Sequence, residues 1–154
     1  MLEIGQKALS FSLSNENDET ITLDSLKGKK VVLFFYPKDA TPGCTREGNE
    51  FSEKKTEFDS HNTVVLGVSK DSVASHKRFC EKQGFTVSLL SDPEGDMVED
   101  YGVWQEKKNY GRTYMGIVRS TYLIDESGMV AHVWSPVKVA GHVDAVLERV
   151  SENG

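Results

Sequence analysis

Two residues carry the chain's nucleophilic sulfur, Cys44 and Cys80. Cys44 closes the run Pro37-Lys38-Asp39-Ala40-Thr41-Pro42-Gly43-Cys44, at the start of a segment, Thr41 to Ser60, with helical spacing. Thr41 is a good N-cap, and Pro42 then falls at the first helical position, where its missing N–H costs nothing. Cys44 becomes the third helical residue, where a capping box places Glu. An anion there meets unpaired backbone N–H groups and the positive end of the helix dipole. A thiolate gains from the same field, so the spacing predicts a nucleophilic Cys44. Gly43 leaves room beside the sulfur for a small substrate and for backbone donors. Cys44 also shares an apolar stripe with Gly48, Phe51 and Phe58, which suits an inert sulfur filling a gap beneath the helix.

The second thiol, Cys80, falls in a helix that Asp71 is expected to cap and Gly84 to end, with Val73, His76 and Phe79 on the same side. The cysteines and the four histidines (His61, His76, His132, His142) show no metal-ligand spacing, so no metal and no other cofactor is expected.

These groups need a frame. Val31 to Tyr36 is a continuous apolar run that suits a strand covered on both faces, and Pro37 ends it. Val64 to Val68 and Val87 to Leu90 read as the next strands. A polar turn between Phe11–Leu13 and Thr20–Leu23 predicts an N-terminal β-hairpin. Asp24 is expected to cap a short turn. Asp96 to Tyr101 suits a short helix and residues 103–113 a loop. Ser120–Ile124 and Met129–Trp134 flank a hairpin turn, and Ala140–Ser151 is an amphipathic helix. The order predicts an α/β fold, one domain over residues 1–154, with a central mixed sheet flanked by helices.

The composition narrows the function classes. The chain has 154 residues, 38% of them hydrophobic, and 18 basic against 24 acidic residues give a net charge of −6. That argues against a nucleic-acid partner and against an anionic membrane surface. The longest apolar run is far short of the ~20 residues that span a bilayer. No basic segment precedes an apolar one at the N-terminus, so no secretory signal is read and a cytoplasmic location is expected.

The run from Pro37 to Glu47, PKDATPGCTRE, resembles the peroxiredoxin active-site motif P-x-x-x-T-x-x-C. The fuller string YPKDATPGCTREGNEF is similar to the PrxQ-type, bacterioferritin comigratory branch of that family. So, in the same order, are Leu90-Ser-Asp-Pro-Glu-Gly95, Tyr101-Gly-Val-Trp104 and Arg119-Ser-Thr-Tyr-Leu-Ile-Asp125. The resemblance runs from about Gly5 to the last helix. It implies a thioredoxin-like fold and a thiol-dependent peroxidase acting on hydrogen peroxide and organic hydroperoxides. Cys44 would attack the peroxide. Thr41 and Arg119 would donate to the peroxide oxygens, Pro37 would shield the sulfur, and Glu47 would position Arg119 or the helix start. Arg119 could equally be an ordinary strand-end cation, and Thr41 a cap alone. Tyr36 and Trp104 could line the pocket but read first as packing residues.

Many members of that branch carry a second Cys five positions after the first, but here Asn49 stands there. Cys80 fits the placement of the resolving thiol in other members. The resemblance thus implies a Cys44–Cys80 disulfide, reduced by a thioredoxin-like protein. If the folded form keeps the two apart, the first turn at Cys44 and part of the second helix must unwind, with His76 and Phe79 opposing it. Three rivals stand beside this reading: a one-Cys peroxidase resolved by an external thiol, a thioredoxin-type reductase, and a non-enzymatic binding or holdase protein. The reductase would need a Cys-x-x-Cys pair that the chain lacks. A monomer is expected, since no extra apolar face stands out.

Overall fold

In the computed structural model, which describes residues 1–152, the run Lys30–Phe35 forms β3 and is buried at every position. It is an interior strand of a seven-stranded sheet. Before it come β1 (Ser12–Ser14) and β2 (Thr20–Thr22), the expected antiparallel hairpin. After it come α1 (Pro42–Glu53), α2 (Lys55–Ser60), β4 (Thr63–Ser69), α3 (Val73–Gln83) and β5 (Ser88–Ser91). The chain continues through α4 (Asp96–Asp100), β6 (Trp104–Asn109), β7 (Arg112–Ile117), β8 (Ser120–Ile124), β9 (Val130–Trp134) and α5 (His142–Glu152). The sheet order is β2-β1-β5-β4-β3-β8-β9, with β3, β4 and β5 parallel and β8 antiparallel to β3. This is the expected mixed sheet flanked by helices.

Two apolar layers cover the sheet. One contains Phe34, Cys44, Phe51, Phe58, Phe79 and residues of α5, so α1, α3 and α5 share a face. The other gathers Phe35, Met97, Val98, Tyr101 and Tyr122 with the N-terminal segment. The alternation of Phe34 and Phe35 between the layers is the period of two of a strand buried on both faces.

Four local readings are corrected. The helix from Thr41 breaks at Lys54, whose N–H is shared between the Glu50 and Phe51 carbonyls. The break lets Phe51 and Phe58 both turn inward, their rings 5.8 Å apart. The cap of α3 is Ser72, whose hydroxyl accepts from the Ser75 N–H, because Asp71 is drawn instead to Ser69 and to the Asp39 N–H. Asp24 lies inside a 3₁₀ turn capped at Leu23 rather than capping it. Residues 103–113 are no loop, because Trp104–Asn109 pairs with Arg112–Ile117 in a separate two-stranded ribbon. Its strands are polar and mostly exposed, so no buried face marks them in the sequence. Its signal is the turn, where Tyr110 and Gly111 both take positive φ (51° and 76°), as a tight hairpin requires. Among the described residues no helix is long and apolar enough to cross a membrane.

Candidate active site

The site stands at the end of β3. Pro37 follows the strand, and residues 37–41 carry the chain to the start of α1. Pro42 takes the first helical position, as its fixed φ favours, and Cys44 is the third residue, 2% exposed. Thr41 has the extended backbone of an N-cap, but its hydroxyl donates to the Lys38 carbonyl (2.8 Å) instead of accepting from the helix. The expectation of a side-chain cap is corrected to that extent. Thr41 tightens the loop and leaves the amide end of the helix to the sulfur.

Register brings the cation. Phe35 pairs with Ser120, so Arg119, just before β8, lies level with the end of β3 where the loop begins. The Arg119 carbonyl accepts from the Val137 N–H (2.8 Å), which fixes its backbone. Its guanidinium forks between two partners. Nη2 lies 3.3 Å from Cys44 Sγ, and Nη1 lies 2.7 Å from Glu47 Oε1. Burial works against the Arg119 cation, but Glu47 and Cys44 together hold it above its ordinary range. Glu47 is fully buried one turn after Cys44, and its second oxygen has no hydrogen-bond partner. Burial pushes the Glu47 carboxyl up to about 7, against the pull of Arg119. Arg119, Glu47, Gly43 and Cys44, singled out in the sequence, thus come together. A Cβ built on Gly43 would lie 3.0 Å from Arg119 Nη2, so the missing side chain admits the guanidinium to the sulfur. Pro37, predicted to shield the sulfur, is solvent-exposed in the loop between β3 and α1. Tyr36 is buried in packing, as expected, and Trp104 packs under Lys70, whose Nζ lies 4.3 Å from the ring centre. His142 lies nearby on α5, bonded to Thr121 (2.8 Å). Burial and the Arg119 charge push it down to about 4 and keep it neutral.

The arrangement can hold a buried sulfur anion and meet developing charge on an attacked oxygen with a fixed cation and amide dipoles. Cys80 stands apart. It is half-buried on α3, both cysteines are free thiols, and burial with nearby carboxylates pushes the Cys80 thiol up to about 12.

A second polar group escaped the sequence reading. Asp39 accepts from Tyr36 Oη (2.6 Å) and Ser75 Oγ (2.8 Å) and pairs with His76 Nδ1 (2.7 Å). Asp39, Asp71 and His76 hold ligand atoms within 4.8 Å of one another, but these atoms are committed to hydrogen bonds among themselves and with Ser69, Tyr36 and Leu90. The signal was an acidic residue in the loop with a histidine on the inner side of α3; nothing in either stretch paired them.

Residues 4–133 match the AhpC/TSA family model. Among curated proteins, peroxiredoxin Bcp of Bacillus subtilis is 44% identical over 151 residues, 98% of this chain and 96% of that protein. Among solved structures, the Xanthomonas campestris bacterioferritin comigratory protein, studied for alkyl peroxide reduction in trapped intermediate and ligand complexes, superposes with a TM-score of 0.89. It is 43% identical, over 93% of this chain and 91% of its own. Two further Xanthomonas campestris peroxiredoxin Q structures are serine variants at cysteines 36 positions apart. Both are 44% identical; TM-scores are 0.89 and 0.90, covering 93% and 94% of this chain and 90% and 92% of theirs.

Proposed function

The chain belongs to the AhpC/TSA family, as a peroxiredoxin similar to the Bcp and PrxQ proteins, and from that premise we propose that its thiol-dependent peroxidase activity runs through Cys44 with Cys80 as the resolving thiol. The observation that carries this reading is the Arg119 fork, which sets one guanidinium nitrogen on the Cys44 sulfur and the other on a buried carboxylate. The Cys44 thiolate attacks the terminal peroxide oxygen. The S–O bond forms, the O–O bond breaks, and the departing oxygen leaves with a proton as water or an alcohol. Arg119 and the first amides of α1 stabilise charge as it moves from sulfur to oxygen. Arg119 does this without giving up a proton. Pro37 screens the sulfur from solvent, Thr41 shapes the approach, and Gly43 admits the guanidinium.

The resulting sulfenic acid condenses with a thiol. The Cys44–Cys80 separation, 36 positions, equals that of the two cysteines replaced in the Xanthomonas campestris variants. The disulfide is then reduced by a thioredoxin-like dithiol protein in the cytoplasm. Hydrogen peroxide and organic hydroperoxides are the substrates, and the protein works as a monomer.

Counting free thiols after one equivalent of peroxide tests this. Wild type should lose both, and Cys80→Ser should leave a trappable sulfenic acid on Cys44. Turnover in Cys80→Ser equal to wild type, with thioredoxin as sole reductant, would remove Cys80 and leave an external thiol in its place.

A further inference from the structure

The Asp39 cluster plays no part in the peroxide step, yet it joins the two cysteine-bearing segments. Asp39 lies five residues before Cys44 in the loop, and His76 lies four residues, one helical turn, before Cys80 on α3. His76 is fully buried, and the Asp39 side chain is 4% exposed. His76 Nε2 lies 2.9 Å from the Leu90 carbonyl oxygen and Nδ1 2.7 Å from Asp39 Oδ2. Asp39 and the Leu90 carbonyl thus occupy both ring nitrogens of His76. Burial alone would raise the Asp39 carboxyl, but the hydrogen bonds from His76, Tyr36 and Ser75 hold it below its usual range. The pair is a satisfied buried hydrogen-bonded pair, and removing one partner leaves the other's buried polar atoms unpaired, which is destabilising.

Contacts that join α1 to the end of α3 lie beyond Cys44. The α1 residues that meet the far end of α3 and the turn after it are Gly48, Asn49 and Ser52, a turn or more beyond Cys44. Asn49 bonds Gln83 (3.4 Å), Ser52 bonds Thr86 (3.0 Å), and Phe85 fills the space over Gly48. The Cys44 sulfur turns instead to Arg119 on the β8 side of β3, whereas α3 links β4 to β5 on the other side. A disulfide needs Cα atoms within ~7 Å, and here the Cys44 sulfur is held by Arg119 while Cys80 is a free, half-buried thiol on α3.

We propose that the Asp39–His76 pair is a positioning element for the resolving step: it latches α3 against the Cys44 loop, and Cys80 reaches Cys44 only when this pair parts. The inference rests on Cys80 being the resolving thiol. Opening has a second effect. In the closed form burial suppresses the Cys80 thiolate, and exposure restores it. The thiolate then attacks the Cys44 sulfenic sulfur; the S–S bond forms, the S–O bond breaks, and hydroxide leaves and is protonated to water. Beside Asp39, Ala40 holds φ +64°, a left-handed conformation that costs a non-glycine residue energy and relaxes when the loop is released. The latch therefore divides Cys44 sulfenic acid between disulfide and further oxidation by a second peroxide.

Rapid quenching with an alkylating agent, followed by intact-mass analysis, separates the sulfenic acid, the disulfide and the over-oxidised species. Asp39→Asn keeps the shape and removes the charge. Its sulfenic acid should form within about threefold of the wild-type rate, its disulfide should form about tenfold faster, and over-oxidation at high peroxide should fall. Tyr36→Phe removes one hydrogen bond from the same carboxylate; it should speed disulfide formation about two- to threefold and decides the matter should Asp39→Asn not fold. Hydrogen exchange over residues 73–83 should quicken in both variants with α5 unchanged. Normal disulfide formation in wild type with no acceleration in either variant overturns the latch alone. No disulfide in wild type overturns the resolving role of Cys80 and the latch with it.

Discussion

Cys44 and Arg119, 75 residues apart in the chain, meet at 3.3 Å between Sγ and Nη2. The contact depends on the Phe35–Ser120 register and on the absence of a side chain at Gly43. Glu47, on the same helix as Cys44, holds the other arm of the guanidinium. One helix thus supplies both the sulfur and the carboxylate that aims the cation.

Replacing Arg119 by Met removes the cation and both hydrogen bonds. The second-order rate constant of Cys44 with hydrogen peroxide should fall by roughly 10²–10³, the loss typical of a preorganised donor. Arg119→Lys should recover only part of it, since one ammonium cannot fork between sulfur and carboxylate. Stopped-flow measurement of both variants checks this.

Gly43→Ala places a Cβ 3.0 Å from Arg119 Nη2. The guanidinium must give way while the helix gains a better helix former, so the fold should hold and the peroxide rate should drop about tenfold. Circular dichroism, with the same kinetic assay, separates the two effects.

Glu47 makes a prediction about pH. Its folded value, about 7, lies above the ordinary 4.5, so the folded protein binds more protons on this group than the unfolded chain does. Its contribution to stability is fully present below 4.5 and is lost as pH rises through about 7. Urea unfolding across this window should show wild type losing stability relative to Glu47→Gln as pH increases. The peroxide rate of the variant should fall as well, because Arg119 loses its ionic anchor.

Gly48→Ala would drive a Cβ to 2.4 Å from the Phe85 ring. Helix propensity favours alanine by ~1 kcal/mol, but overpacking of this kind costs about 1–3 kcal/mol. The variant should be destabilised, and α3 should loosen with it because Phe85 packs on Phe79 at 4.8 Å. Denaturant unfolding measures the first effect and hydrogen exchange over α3 the second.

The sequence carried much of this frame because its signals are local. The apolar run at Val31–Tyr36, the Thr41-Pro42 helix start and the turn at Asp125–Gly128 each declare an element without reference to the rest. The resemblance then pointed to Cys44, Arg119 and Glu47 across distances that no periodicity spans. What escaped was set by tertiary competition. Asp71 is a good cap by type, yet Ser69 and the Asp39 N–H claim it, and Ser72 caps α3 instead. Thr41 is a good cap by type, yet the Lys38 carbonyl takes its hydroxyl. The Asp39–His76 pair spans 37 residues and forms only once β3, β4 and α3 are assembled. The β6–β7 ribbon has no buried stripe to announce it, only a turn.

One sulfur, that of Cys44, meets the peroxide first. Reduced protein given one equivalent of hydrogen peroxide in the presence of dimedone, then digested and mapped by mass spectrometry, tests it directly. The adduct should sit on Cys44, should increase in Cys80→Ser and should vanish in Cys44→Ser. An adduct on Cys80 with Cys44 unmodified, or peroxide consumption undiminished in Cys44→Ser, would contradict the account.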